Sequence, residues 1–178
     1  MTAFFGYPVR QLGYYVSDAF SSAKRHSELF GSGPFFTFDM PISCWYRGVS
    51  GISVQLSVAL GQWGNQMVEF VQQNDDQPSV FHDLYPQGSG RFGLHHVAVI
   101  VEDVKRAVAD IEGTGHPLVS VTGPPQGPQA TFIDTRGLCG HFTEIFASIP
   151  QVTDTFAFIA SAAGDFDGKP CVRPMPGT

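Results

Sequence analysis

A short pattern occurs twice in the chain and constrains the fold more than any other feature. Residues 92–103 read Phe-Gly-Leu-His-His-Val-Ala-Val-Ile-Val-Glu-Asp, which is typical of a buried strand that leads into an acidic helix start. Residues 10–18, Arg-Gln-Leu-Gly-Tyr-Tyr-Val-Ser-Asp, have the same plan. Aligning the two acidic caps places Gln11 on His96, an offset of 85 residues (96 − 11). Such a duplication predicts two similar modules, each with a polar side chain at the same strand position.

The elements that follow each copy also correspond. Asp18 predicts the N-cap of a helix over 19–30, with Gly31 as its C-terminal stop, and a second helix is expected over 104–113. Apolar or alternating runs predict the strands. In the first module these are 11–16, a strand entry at 34–38, then 42–47, 52–60 and 66–71; in the second they are 94–101, 118–121, 130–134 and 139–147. The fold class is therefore α+β, built from paired βαβββ modules.

The predicted elements divide the chain into five parts. They are a lead-in at 1–9, a first module at 10–73, a linker at 74–91, a second module at 92–149, and a C-terminal helix and tail at 150–178. The linker is polar and is interrupted by Pro78, Pro86, Gly88 and Gly90. In the last part, a helix is expected over 154–163, followed by an irregular, Pro-rich tail.

Composition excludes several classes of partner. The net charge of −6 leaves no basic stripe for nucleic acid, and no apolar run reaches the length that spans a membrane. The three cysteines are far apart, which favours a reducing compartment over a disulfide scaffold. We expect a cytoplasmic protein with a small-molecule partner, with neither nucleic acid nor membrane as a partner.

Each module also carries one carboxylate inside an apolar strand. Glu69 lies between Val68 and Phe70, and Glu144 precedes Ile145 and Phe146. Any one of these groups alone is more often an ordinary strand residue than a ligand. An uncompensated carboxylate in such surroundings is costly to bury, however, and a metal ion removes that cost. Together the polar strand residues are typical of a site for one divalent cation, with Gln11, Glu69, His96 and Glu144 as ligands.

Two adjacent histidines compete for the role of ligand. Strand side chains alternate between faces, so His95 and His96 are expected on opposite sides of the sheet. The alignment with Gln11 selects His96 as the ligand. His95 is then predicted to support the site from behind.

These motifs resemble the vicinal oxygen chelate superfamily, which includes glyoxalase I, methylmalonyl-CoA epimerase, extradiol dioxygenases and bleomycin-resistance-type proteins. The resemblance covers about residues 8–147 and is carried by the motifs at 11–16, 68–70, 93–98 and 140–145. It implies modules whose sheets curl around a metal, held by the first and fourth strand of each module. The order of Gln11, Glu69, His96 and Glu144 is similar to that of the mammalian type of glyoxalase I. The metal expected is Zn, Ni, Co or Mn.

The implied chemistry is capture of vicinal oxygens and removal of a proton α to a carbonyl. Glu144 is the expected base and Glu69 the second candidate, with Tyr15, Phe35 and Phe36 as substrate-binding residues. The reaction would be an isomerisation, an epimerisation or a lyase-type addition to a small oxygenated substrate, such as a thioester or an aromatic carbonyl. A non-catalytic cleft binder is the alternative. An oxygenase is a third reading, which Gln11 disfavours because it stands where a first histidine would be. A homodimer is left open.

Overall fold

A computed structural model describes residues 6–177, so the predicted lead-in at 1–9 and the tail at 150–178 fall partly outside the described residues. The elements in chain order are β1 (Gln11–Tyr15), α1 (Ala19–Phe30), β2 (Phe35–Tyr46), β3 (Val49–Trp63), β4 (Gln66–Gln73), α2 (Val80–Leu84), β5 (Gly93–Val101), α3 (Val104–Glu112), β6 (Leu118–Thr122), β7 (Ala130–Ile133), α4 (Arg136–Cys139), β8 (Phe142–Ala147), α5 (Pro150–Gly164) and β9 (Val172–Pro174). The α+β class with paired βαβββ modules is confirmed.

Eight strands curl into a closed, barrel-like sheet. The strand order is β3-β4-β1-β5-β8-β7-β6-β2, and β2 also pairs with β3, which closes the ring. Each module contributes four consecutive strands in the same relative order. The modules meet at two antiparallel junctions, β1 with β5 and β2 with β6. One chain therefore encloses a single interior.

The central junction carries the internal symmetry. Gln11 pairs with Ala98 and Gly13 pairs with His96. The offset of 85 residues maps Gln11 onto His96 and Gly13 onto Ala98, so each pair is the symmetry copy of the other. A pseudo-twofold axis thus passes between these two pairs, and the sequence duplication is also a structural one.

The two long module helices form as their caps predict. The Asp18 side chain accepts a hydrogen bond from the Ser21 amide, and Gly31 ends α1 with a left-handed φ of 67°. The Asp103 side chain accepts from the Arg106 amide at the start of α3. Both helices pack outside the ring, where Ala19 and Ala23 of α1 contact one apolar cluster and α3 covers another. The interior holds a third, larger apolar cluster.

Strand β2 differs from the prediction. The sequence suggested two segments, 34–38 and 42–47, but the structure has one strand from Phe35 to Tyr46 that runs through Pro41. Besides β3, this strand pairs with β9 only at Phe35–Thr37 and with β6 only at Cys44–Tyr46. Pro41 lies between those two pairings, so its missing N–H leaves no ladder bond unmade.

The linker and the start of β8 contain short helices that the sequence prediction missed. Helix α2 lies within 74–91, is capped by the Ser79 side chain and buries Val80 and Phe81. The strand expected at 139–147 begins only at Phe142, because α4 precedes it and ends at Gly140, whose φ is 76°. Tertiary packing and a left-handed glycine decide both differences.

The C-terminal part is more ordered than predicted. Helix α5 begins at Pro150, four residues before the predicted start. The tail is not irregular throughout, because β9 adds a parallel strand beside the first residues of β2. None of the helices within residues 6–177 is long and apolar enough to cross a membrane.

Candidate metal and active site

The four predicted ligands lie in two neighbouring cross-strand rows at the central junction. Pairing across β4, β1, β5 and β8 defines the rows Gln11–Ala98–Glu144 and Glu69–Gly13–His96. The rows are two residues apart along β1 and β5, so their side chains share one face of the sheet. The sheet therefore brings together all four donors, two from each module of one chain.

Small residues make room between the donors. Gly13 and Ala98 are symmetry copies, and each stands directly between two polar partners in its row. A Cβ on Gly13 would lie 2.6 Å from Cδ2 of His96 and closer still to Cε1 and Nε2. The imidazole thus occupies the space that any other residue at position 13 would fill. Sequence reasoning missed this role, although the same offset of 85 residues pairs Gly13 with Ala98.

The ionisable donors are in direct contact. His96 Nε2 lies 3.1 Å from a carboxylate oxygen of Glu69 and 3.2 Å from one of Glu144. These are ion-pair distances, but neither contact satisfies hydrogen-bond geometry at His96 Nε2 or Glu144 Oε2. Gln11 donates from Nε2 to the sulfur of Met67, which leaves its Oε1 without a partner.

Unpartnered polar atoms concentrate at this point. Four buried side-chain atoms among the described residues have no hydrogen-bond partner, and three of them are Gln11 Oε1, His96 Nε2 and Glu144 Oε2. Each such atom costs about 1–3 kcal/mol unless something satisfies it. One imidazole nitrogen with amide and carboxylate oxygens is a donor set that suits a divalent cation. The residues therefore fit a metal ion chemically.

The donors are nevertheless not arranged as a finished coordination shell. Within residues 6–177, no three His, Cys, Asp or Glu side chains are spaced to hold a metal ion. In this structure the two carboxylates lie against the imidazole, and Gln11 would have to supply the fourth donor. The site is thus a charge-compensated cluster whose ligand atoms are the atoms that lack partners.

The charges of the cluster shift two pKa values. Burial disfavours the imidazolium, but the negative charges of Glu144 and Glu69 outweigh it and raise the pKa of His96 to about 10. Burial raises the pKa of the Glu144 carboxyl, and the neighbouring His96 opposes that rise. Without a metal ion, His96 therefore supplies the positive charge of the cluster.

His95 does not lie on the opposite face from His96, as strand alternation predicted. Gly13 pairs with His96 while Tyr14 pairs with Leu94, so His95 is the extra residue of a β-bulge. The bulge turns its ring towards its neighbour, and the two Nδ1 atoms are 3.0 Å apart. The predicted supporting role of His95 thus has a geometric basis that the sequence did not reveal.

The contacts of His95 fix the tautomer of His96. His95 Nε2 lies 3.1 Å from the Val80 carbonyl oxygen, which can only accept, so Nε2 must donate. Burial and the neighbouring His96 hold the pKa of His95 well below its usual range, so the ring is neutral and its Nδ1 accepts. His96 then donates from Nδ1, which directs its Nε2 to the carboxylates.

A cavity of about 290 Å³ adjoins the cluster. Gln11, Glu69 and Glu144 form part of its wall, while His96 contacts both carboxylates without lining the cavity itself. The remaining wall is mainly apolar, and α5 covers one side with residues that include Val152 and Phe156. The C-terminal helix is therefore part of the site.

The predicted substrate-binding aromatics lie elsewhere. Tyr15 stacks on Phe81 and Tyr85 and lines a separate, polar pocket of about 550 Å³ beside the linker. Phe35 is buried under α1, and Phe36 packs against Phe158 of α5. None of Tyr15, Phe35 and Phe36 is among the residues that line the 290 Å³ cavity.

The actual cavity wall comes from residues that sequence reasoning passed over. Phe38, Met40 and Ile42 project into the cavity from β2, and Leu56, Val58 and Leu60 do so from β3. Both sets alternate with period two, which is the signal of one lined strand face. The proline at position 41 concealed that period in β2.

Comparison with known families agrees with this architecture. Residues 10–133 match the family described as the Glyoxalase/Bleomycin resistance protein/Dioxygenase superfamily. The chain belongs to this superfamily. The match covers most of the first module, the linker and the second module up to β7. No curated protein matches the superfamily member described here at a significant level.

Solved structures share the superfamily fold at low sequence identity. Methylmalonyl-CoA epimerase from Mycobacterium tuberculosis has a TM-score of 0.54 and 13% identity, covering 86% of this chain and 95% of its own. A methylmalonyl-CoA epimerase in complex with methylmalonyl-CoA and NH4+ has a TM-score of 0.54 and 17% identity, covering 82% and 96%. A variant of the Streptomyces coelicolor enzyme with 2-nitronate-propionyl-CoA has 0.53 and 18%, covering 80% and 95%. At these identities the likeness shows the fold alone.

Proposed function

We propose that this chain is a metal-dependent enzyme that removes a proton α to a carbonyl and so isomerises, epimerises or eliminates from a small oxygenated substrate. One observation carries the proposal: four polar side chains converge at one end of an apolar cavity, and three of them present unpartnered buried atoms. Polar groups are rarely left in this condition at a site without function. The epimerase fold of the structural neighbours supports the same reaction class.

Gln11, Glu69, His96 and Glu144 would hold the cation, taken as Zn, Ni, Co or Mn. When bound, such an ion polarises vicinal oxygens of the substrate and makes the neighbouring C–H proton more acidic. His95 holds the ring of His96 in the tautomer that leaves Nε2 free for this purpose. The homodimer stays a prediction, because one chain already contains the whole cluster.

Glu144 is the proposed base. Its carboxylate is buried at the cavity wall, and burial raises its pKa, which brings its basicity closer to that needed at neutral pH. It would accept the proton from one carbon and return it to another, or to the opposite face of the same carbon. Glu69 borders the same cavity and is the second candidate.

Proton exchange in D₂O tests this assignment. The metal-loaded protein would be offered carbonyl compounds with an exchangeable α proton, from propionyl-CoA to 1-phenyl-1,2-propanedione, and exchange would be followed by NMR. We expect Glu144→Gln to slow exchange of the best compound by about 10²-fold or more, since one positioned acid or base contributes that much. Glu102→Gln, an exposed carboxylate outside the cavity, is the matched control. Full exchange by Glu144→Gln would remove Glu144 from the base role.

A non-catalytic binder is the second candidate function. It is favoured by one observation: His96 already compensates the charges of Glu69 and Glu144 without a metal ion. A binder predicts ligand binding to the metal-free protein and no proton exchange with any compound. An enzyme predicts exchange that chelation abolishes and metal restores.

A further inference from the structure

We propose that the substrate is a compact, uncharged, mainly hydrophobic molecule, best satisfied by an aromatic ring, with two adjacent oxygens at one end only. The position of the two oxygens rests on the proposed function, whereas the uncharged, hydrophobic body rests on the cavity alone. The inference therefore selects the aromatic carbonyl over the thioester among the substrate types that the sequence left open.

The cavity wall is the first reason. Aromatic rings enclose much of the space, namely Phe38, Phe81, Phe132, Phe146 and Phe156, and aliphatic side chains of β2 and β3 supply most of the rest. Polar lining is confined to two places. Gln11, Glu69 and Glu144 form the cluster, while Thr122, Gln151 and Thr155 are the other polar residues. A ligand that fills such a space buries apolar surface along its body.

Charge is the second reason. Among the described residues that line the cavity, the charged ones are Glu69 and Glu144, and neither lysine nor arginine is present. An anionic group on the body of the ligand would be desolvated without a counter-ion and repelled by both carboxylates. Arg10 lines a separate pocket that shares only Phe156 with the cavity. Phosphate or carboxylate groups thus find no partner inside.

Size is the third reason. The volume of about 290 Å³ is at the lower end of the range of roughly 300–1,000 Å³ for small-molecule sites. The cavity meets solvent near Pro128 and Gln151, which are its exposed lining residues. Pro128 belongs to the β6–β7 loop and Gln151 to the first turn of α5. A one-ring or two-ring molecule fits between this opening and the cluster.

Matched probes test the inference by isothermal titration calorimetry on the full metal-loaded chain. 1-Phenyl-1,2-propanedione, its 4-methoxycarbonyl derivative and its 4-carboxy derivative share one dione end and differ in the group at the far end of the ring. We expect the two neutral probes to bind at least 10-fold more tightly than the 4-carboxy probe. Equal or tighter binding of the 4-carboxy probe overturns the inference, as does failure of both neutral probes to bind.

A charge placed on the wall provides the second arm. Met40 is a half-buried lining residue, so Met40→Lys should fold and bring a cation into the cavity. We expect it to weaken the neutral probes and to shift selectivity at least 10-fold towards the 4-carboxy probe. Val49→Lys, at an exposed hydrophobic position outside the cavity, should leave selectivity unchanged. No shift in Met40→Lys would count against the proposed wall.

The outcomes separate this inference from the proposed function. Metal content and proton exchange are measured independently of probe selectivity. Neutral selectivity without metal or exchange would keep the hydrophobic ligand and refute the enzyme. Metal-dependent exchange combined with preference for the charged probe would do the reverse.

Discussion

At the scale of single residues, the site depends on what is absent at position 13 as much as on the four donors. Gly13 leaves room for the ring of His96 between Glu69 and the next strand. A larger residue here would force the ring away from both carboxylates. The close approach, and not backbone conformation, is therefore what requires glycine at this position.

Gly13→Ala should destabilise the protein by about 1–3 kcal/mol, the usual cost of overpacking a well-filled interior. It should also weaken metal binding, because His96 cannot keep its place. Denaturant unfolding and metal titration measure the two effects. Gly137→Ala is the matched control, since a Cβ there meets nothing within 4 Å. Wild-type values for both quantities in Gly13→Ala would contradict the packing described here.

His95→Phe should lower metal affinity by about 10–100-fold, as loss of a group that orients a ligand usually does. The phenyl ring keeps the volume but cannot accept the hydrogen bond from His96 Nδ1. His95→Gln retains an acceptor and should recover part of the affinity. Competition with a chelator measures all three proteins. Equal affinity in wild type and His95→Phe would show that His95 only fills space.

At the scale of elements, the linker helix α2 is tied to both modules by ion pairs. Asp83 of α2 accepts hydrogen bonds from Tyr46 and Arg47 of the first module, and its carbonyl accepts one from Arg136 of the second. Arg136 also pairs with Asp134 at 2.6 Å. This network holds α2, and with it the Val80 carbonyl that fixes His95.

Asp134→Asn should cost about 1.5–3 kcal/mol at neutral pH, the range for hydrogen bonds to a charged partner. The Arg136 guanidinium holds the pKa of Asp134 below its usual range. The contribution is therefore present above the unfolded pKa and is lost as the pH falls through the folded one. Unfolding curves from pH 7 down to the acid limb should converge for wild type and variant. Asp110→Asn, in an exposed pair with Arg106, should change little at any pH.

How well each element could be predicted depended on where its determinants lie. The helices α1 and α3 carry their own caps at Asp18 and Asp103, so local sequence determines their ends. Strand β2 passes through Pro41 because of its neighbours in the sheet, and α2 exists because Val80 and Phe81 reach the interior. Partners distant in sequence cannot be read from a local pattern.

At the scale of the whole molecule, duplication made the donors predictable and left the cavity obscure. Equal offsets between modules identify Gln11 and His96 as one symmetric pair, because symmetry acts on backbone positions. Phe35 and Tyr15 were expected at the substrate, but strand parity is altered by the bulge at His95 and by the curl of the sheet. The cover by α5 lies outside the repeat, so the duplication carried no information about it.

Metal content tests the central claim most directly. The full chain, purified without a metal-binding tag, would be analysed by mass spectrometry for bound metals and titrated with Zn, Ni, Co and Mn after chelation. We predict about one divalent ion per chain, lost in Glu69→Ala and His96→Ala and kept in the exposed-site control Glu102→Ala, with thermal stability rising on metal addition. A protein that binds none of these ions, or binds them equally well in all variants, would contradict the four-donor site.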